Sequence, residues 1–242
     1  MTEFASKLIR VADMNAATQN LIDEKGACTL ETLCTHMLSV NKELNLTAIR
    51  DEDGVILKHF VDSVAIIPYI KDGASMCDVG CGGGFPSLPV AILRPDVSVL
   101  GLDSVTKKVE YVKNTASLLG LDNVRVSNER AEALGRSEEW RESFDVVSAR
   151  GVGRLSLICE LCLPLLRVGG VFIAMKSLTA KDELDEAKNA ISILGGKLEK
   201  SVDYTITDGT EELSRTIIII KKQTHTPPKY PRNNSQISKK PL

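Results

Sequence analysis

The chain has 242 residues, 43% hydrophobic and 26% charged, the composition of a globular protein large enough for a sizeable core. It contains no run of 18 apolar residues, which excludes a membrane-spanning helix, and its first residues carry an early acid and no apolar h-region, unlike a secretory signal. The net charge of −2 hides an asymmetry: of 30 basic residues, six (Lys221, Lys222, Lys229, Arg232, Lys239 and Lys240) fall after Ile220 with no acid among them, leaving 24 against 32 acids on the body. A cationic tail on an acidic body suits a polyanionic partner.

The first part, residues 1–73, reads as a helical extension. Leu30, Leu33, Met37 and Leu44 fall on one helical face, with a start expected around Thr29, Glu31 and Thr32. Asn45–Thr47 interrupts it. Asp51 opens a second segment in which Val55, Phe60, Val64 and Ile67 recur at near-helical spacing. The second part, 74–221, alternates strand and helix patterns, with strands expected at "SMCDVG", "VSVLGLD", "VRVS", "FDVVSAR", "GGVFIAMK", "KLEKSVDYTI" and "RTIIIIKK". This alternation implies an α/β fold: a mostly parallel seven-stranded sheet with helices on both faces and ligands at the carboxyl ends of its strands. The third part, 222–242, is rich in proline and basic residues and is expected to be disordered until bound.

Six cysteines without a signal sequence read as reduced thiols of a cytoplasmic protein. Cys159 and Cys162 have half the spacing of a zinc motif, but they lie in the apolar "RLSLICELCLPLL" and read as core residues; no metal site is expected.

The most informative stretch is "DVGCGGGFP", following the first strand. A phosphate-binding P-loop needs Lys-Ser/Thr after its glycines, and none is present. A dinucleotide fingerprint needs a third glycine where Phe85 stands, though variants exist. The order Asp78-x-Gly80-x-Gly82-x-Gly84 has the form of the S-adenosylmethionine loop of Rossmann-like methyltransferases. Glycines let backbone approach a ligand where a Cβ would clash. Asp78 is expected to face the cationic methionine end of that cofactor, and Asp103, ending the next strand, to accept both ribose hydroxyls. Glu132 and the backbone N–H of Ala131 are placed to border the adenine, with a surface helix position the equal alternative for Glu132.

No acceptor motif stands out. The Asn/Asp-Pro-Pro-aromatic signature of amino-group methylation is replaced by "SARGVGR", and Cys159 and Cys162 lie too far into a helix for carbon methylation. Lys176 is a candidate base for a hydroxyl acceptor, whereas a ring nitrogen such as guanine N7 needs no base. His59 reads as a packed histidine rather than a base.

Residues of about 30–222 resemble the RsmG (GidB) family of ribosomal RNA methyltransferases, through "NKELNLTAIRD", "HFVDS", "DVGCGGGFPSLPVAI", "LDSVTKKVEYV", "ERAE", "DVVSAR" and "AMK"; the tail's "TPPKYPR" resembles one branch of that family. The resemblance implies transfer of methyl from S-adenosylmethionine to N7 of a guanine in the decoding-region loop of 16S ribosomal RNA, on that RNA or on the small ribosomal subunit; the protein is expected to be a monomer. It implies cofactor contacts at Gly80, Phe85, Asp103, Ser104, Val105, Ala131, Glu132 and Arg150, joined by Asp78 and Gly82 from the loop argument. Arg150 and Lys176 are expected to position the substrate, and Lys107, Arg130, Lys176, Lys221, Lys222, Lys229 and Arg232 to meet RNA. Gly151 and Gly153 stand where the family more often has alanine, which puts the rigidity of that loop in question. Methyltransferases of other substrates, a non-catalytic ribosome-binding module and an NAD enzyme remain as alternatives.

Overall fold

Alternating apolar residues from Ser75 onward build a sheet whose two faces bury against different parts of the chain. The computed structural model describes residues 1–177 and 180–242. The first helices are α1 (Glu3–Asp13) and α2 (Glu24–Leu44). Thr2 caps α1 by accepting from the Ala5 N–H, and Asp23 caps α2 by accepting from the Gly26 N–H. The second cap corrects the start expected near Thr29. The Thr29 and Thr32 hydroxyls lie inside α2 and donate to carbonyls four residues back, so they do not open it. Asn45 ends α2 in the left-handed conformation, with φ 49°.

Asp51 caps the short α3 (Glu52–Val55), which continues as a π-helix over Ile56–Val61 and then α4 (Asp62–Val64). The five-residue step from Val55 to Phe60 is the apolar spacing of an i→i+5 turn, and both residues are fully buried.

The remaining elements are β1 (Ser75–Val79), α5 (Ser87–Leu93), β2 (Ser98–Leu102), α6 (Thr106–Leu118), β3 (Val124–Ser127), α7 (Ala131–Leu134), β4 (Phe144–Arg150), α8 (Leu155–Cys162), β5 (Leu166–Lys176), α9 (Ala180–Ile193), β6 (Gly196–Thr207), β7 (Glu212–Lys222) and α10 (Asn234–Lys239). The seven strands lie in the order β3-β2-β1-β4-β5-β7-β6. β1 pairs in parallel with both β2 and β4, while β7 runs antiparallel between β5 and β6. The chain therefore reverses its direction of travel across the sheet at β1 and β4, the switch point where such sheets bind ligands.

The strand period of two divides the core. Met76, Val99, Val146, Ile173 and Ile217 face the cluster that contains Leu8, Leu30, Met37 and Phe60. Cys77, Val147, Phe172, Ala174 and Ile218 face the cluster of α8 and α9, where Cys159 and Cys162 are buried core thiols. The N-terminal helices thus share one core with the sheet. Among the described residues no helix is long and apolar enough to cross a membrane.

The disorder expected after residue 221 is not what the structure has. The Lys222 side chain is fully buried; its ammonium pairs with Glu142 and donates to the Thr226 hydroxyl and the Leu163 carbonyl. Burial pulls its pKa down to about 8. Arg141 donates to the carbonyls of Thr226 and Tyr230, and Arg136 to that of Pro231. The segment reads as polar because its buried contacts are backbone groups met by arginines of the body. Few apolar side chains are needed, and Tyr230 and Ile237 supply them.

Candidate cofactor and acceptor site

The turn after β1 is built by backbone conformations that only glycine takes without strain. Gly80, Gly82 and Gly84 have φ of 75°, 56° and 89°. A Cβ on Gly80 would lie 2.5 Å from the Val152 side chain, and one on Gly84 2.5 Å from Leu88. The Gly80 N–H donates to the Leu102 carbonyl at 2.7 Å, tying the turn to the end of β2. Asp103 completes the tie: one carboxylate oxygen accepts from the Gly82 N–H at 3.0 Å and the other from the Val105 N–H at 2.9 Å. The carboxylate remains half-exposed, with lone pairs left to meet a ligand.

A cavity of about 570 Å³ opens over this turn, a size suited to a nucleoside-sized cofactor. Gly80, Gly82, Phe85, Asp103, Ser104, Ala131, Glu132, Arg130 and Arg150 all line it, so these expected positions come together. From β1 through α6, three expected residues do not line it. Val105 is 46% exposed outside it and gives its N–H to Asp103. Lys107 is exposed outside the cavity, whereas its neighbour Lys108, one helical step round, lines it.

Asp78 is the third, and it corrects the expectation that this acid faces the cofactor. It is fully buried beneath the turn, where the Ser87 hydroxyl donates to one carboxylate oxygen at 2.5 Å and the Ser148 hydroxyl to the other at 2.7 Å. Burial raises its pKa, and the two serines and Arg150 pull it back. Asp78 therefore clamps the turn to α5 and β4.

Phe85 explains the residue that stands in place of a third glycine. Its ring stacks on His59 with centroids 4.4 Å apart and planes 6° from parallel, and the Arg150 guanidinium carbon lies 5.6 Å from its centroid. Arg150 also donates to the Lys58 carbonyl at 3.0 Å, to Asp62 at 2.9 Å and to His59 Nδ1 at 3.2 Å. A guanidinium only donates, so Nδ1 is the acceptor and the His59 proton sits on Nε2, 3.0 Å from the Thr47 hydroxyl. Burial, then the Arg150 charge, lowers the His59 pKa to about 3 and keeps the ring neutral. His59 is packed, as its sequence context suggested, yet it also lines the cavity.

A second cavity, of about 480 Å³, shares His59, Arg150 and Gly151 with the first. Lys58, Asp62, Lys176, Glu183 and Arg215 also line it. Asp62 is 5% exposed and holds both Arg150 and Arg215. The Lys176 ammonium pairs with Glu183 at 2.6 Å and donates to the Gly153 carbonyl. Gly151 adopts φ 68°, a conformation in which alanine would be strained, so the glycine suits the turn after Arg150.

Of the tail cations, Lys222 is buried and cannot meet RNA, and Arg232 is paired with the buried Glu160. Lys221 is half-exposed and Lys229 exposed. Sequence reasoning missed Thr47, Lys108, Val152, Asn234 and Ser238 as lining residues of the first cavity, and Asp62 as the hub of the second.

The residues present fit S-adenosylmethionine: a glycine turn that admits a ligand, a half-exposed carboxylate at the end of β2, and Leu157 and Leu161 as apolar lining. Among solved structures, the chain superposes on the YcgJ protein of Bacillus subtilis with a TM-score of 0.51 at 16% identity, over 69% of this chain and 100% of that one. It superposes on M. jannaschii TYW2 in complex with AdoMet with a TM-score of 0.50 at 15% identity, over 63% and 70%. At these identities the likeness is one of fold. The sequence is 44% identical over 210 residues to the ribosomal RNA small subunit methyltransferase G of Lactobacillus helveticus, covering 85% of this chain and 87% of the relative. It is 43% identical over 236 residues to the protein of the same name from a Geobacillus species, covering 94% and 98%. The profile of the family described as "GidB: rRNA small subunit methyltransferase G" matches residues 27–211. With that match over most of its length, the chain belongs to the rRNA small subunit methyltransferase G (GidB) family.

Proposed function

We propose that this protein transfers a methyl group from S-adenosylmethionine to N7 of a guanine in 16S ribosomal RNA, in the decoding-region loop, acting in the cytoplasm on the RNA or the small subunit. The observation that supports this most is the junction of two cavities at Arg150, His59 and Gly151 in a chain of this family. The first cavity seats the cofactor and the second receives the guanine.

When bound, S-adenosylmethionine supplies a methyl group on a positively charged sulfur. Asp103 would accept from the ribose hydroxyls, the glycine turn would admit the cofactor's chain, and Ala131 and Glu132 would border the adenine. A guanine N7 lone pair that took the methyl carbon would break its bond to sulfur, which would keep the electron pair and leave as neutral S-adenosylhomocysteine; no residue would have to remove a proton, and catalysis would be alignment plus electrostatics. Arg150 holds the junction in place through Lys58 and Asp62. Neutral His59 adds no charge beside the cationic sulfur or the cationic methylated base. Arg150, Arg215 and Lys176 are each paired with a carboxylate, which offsets their repulsion of that product. Arg130 and Lys108 at the mouth are placed for RNA phosphates.

Small subunits from cells lacking this protein test the reading. Incubated with purified protein and methyl-tritiated cofactor, their 16S RNA gains label at one guanine, and mild reduction and aniline cut the strand there, as N7 methylation requires. Label at another atom, in another RNA, or none, overturns the assignment.

A further inference from the structure

The segment after β7 lies outside the residues that the family profile matches, yet it reaches the first cavity. Asn234 and Ser238, four residues apart and so on one face of α10, line it together with Asp103, Glu132 and Leu161. Neither lines the second cavity. The tail therefore reaches the cofactor's cavity and stays clear of the acceptor's.

Its placement is tightly held. Glu160 on α8 is fully buried, and its carboxylate accepts from the Arg232 backbone N–H at 2.7 Å, from Nε at 2.8 Å and from Nη2 at 2.6 Å. Immediately after, Asn233 and Gln236 form a reciprocal capping box that starts α10. Ile237 is fully buried in the core cluster beside α8, and Pro231 lies against Gly135, just past α7. α10 thus sits at the α7–α8 end of the cavity. Methyl transfer takes place at the other landmark, the junction with the second cavity. What remains for the α7–α8 end is the adenosine, whose adenine carries both hydrogen-bond donors and acceptors. A carboxamide and a hydroxyl can answer both.

We infer that the C-terminal segment completes the cofactor seat: Asn234 and Ser238 contact the adenosine, and the Arg232–Glu160 pair is the positioning element that holds them there. This rests on the cofactor seat assigned above. The six-cation tail then serves the cofactor in part, through a segment that its composition assigned wholly to RNA.

Calorimetry with the full-length chain tests it, using S-adenosylmethionine and 5′-methylthioadenosine, which shares the adenosine but lacks the amino acid. The double variant Asn234→Ala/Ser238→Ala binds both about five- to tenfold more weakly, by the same factor, as expected for lost hydrogen bonds. Its Tm and its affinity for RNA stay at the wild-type values, because both residues are exposed. Arg232→Ala weakens both ligands to a similar degree, and adding it to the double variant produces no further loss, because the three residues act through one contact. Unchanged ligand affinity in the double variant, or a loss confined to RNA, overturns the inference; further loss on adding Arg232→Ala overturns the positioning role. Gly80→Arg separates this from failure of the seat itself. It abolishes binding if the cavity is the seat, and then a silent double variant refutes only the tail's part; if Gly80→Arg binds normally, the seat falls and the tail's role with it.

Discussion

Asp78 and Asp103 lie at the carboxyl ends of neighbouring strands, yet their surroundings differ: one is buried against two serines and the other is half-exposed. Asp78→Ala leaves the buried hydroxyls of Ser87 and Ser148 without their acceptor. An unsatisfied buried donor costs about 1–3 kcal/mol, so the pair costs about 2–6 kcal/mol, partly offset by relief of a buried carboxylate. In a domain of this size that lowers Tm by about 5–15 °C. Asp78→Asn keeps the shape, with an amide that can accept from one serine and donate to the other. Its Tm stays within about 3 °C of wild type and its cofactor affinity within about threefold. Asp103→Ala gives the opposite pattern. The residue is half-exposed, so stability falls by about 1 kcal/mol, while loss of two charge-assisted hydrogen bonds to the ribose weakens cofactor binding about 100-fold. Thermal melts and calorimetry on the three variants read both quantities. If Asp78→Asn melts like wild type and yet loses more than tenfold in affinity, the Asp78 charge reaches the cofactor and this division of labour is wrong.

Other variants probe the rest of the site. His59 has a native pKa of about 3 against an ordinary 6.5, so between those values the unfolded chain binds the extra proton and stability falls as the pH drops. Urea unfolding at pH 7 and pH 5 shows a loss of about 2 kcal/mol from this group, and His59→Gln removes that increment. Arg232→Ala leaves the Glu160 carboxylate buried and unpaired and lowers stability by about 3–5 kcal/mol, whereas replacing both by leucine recovers much of it. Asp62→Asn loosens Arg150 and Arg215, so methyl transfer slows and the KM for RNA rises at a cofactor Kd within about threefold of wild type. A cofactor Kd that rises in step with the KM would place Asp62 in the cofactor seat instead.

The strand–helix alternation announced the sheet because each strand buries a short apolar run and each helix a 3.6-residue stripe, and the glycine turn announced its ligand because backbone conformation demands glycine at Gly80, Gly82 and Gly84. That Asp103 would come up beside the turn was legible because it follows the neighbouring strand, and it lines the cavity there. The orientation of Asp78 was not, because its partners Ser87 and Ser148 come from α5 and β4, and an acid before a glycine turn reads the same whether it faces up or down. The π-helix had left its mark in the five-residue step from Val55 to Phe60, which passes for an imperfect α-helix. The tail was misjudged by composition: its order rests on Arg136, Arg141 and Glu160, all far away in the chain. The capping box of Asn233 and Gln236 was the local sign of α10, easily lost among polar residues.

The claim on which all of this depends is that the turn beside Cys81 seats the adenosyl cofactor. A crystal structure with S-adenosylhomocysteine tests it most directly. The ribose is expected on Asp103, the adenine between Ala131, Leu161 and α10, and the sulfur toward Arg150 and the second cavity. Density for the ligand elsewhere, or the adenine turned toward His59 with α10 untouched, would contradict it.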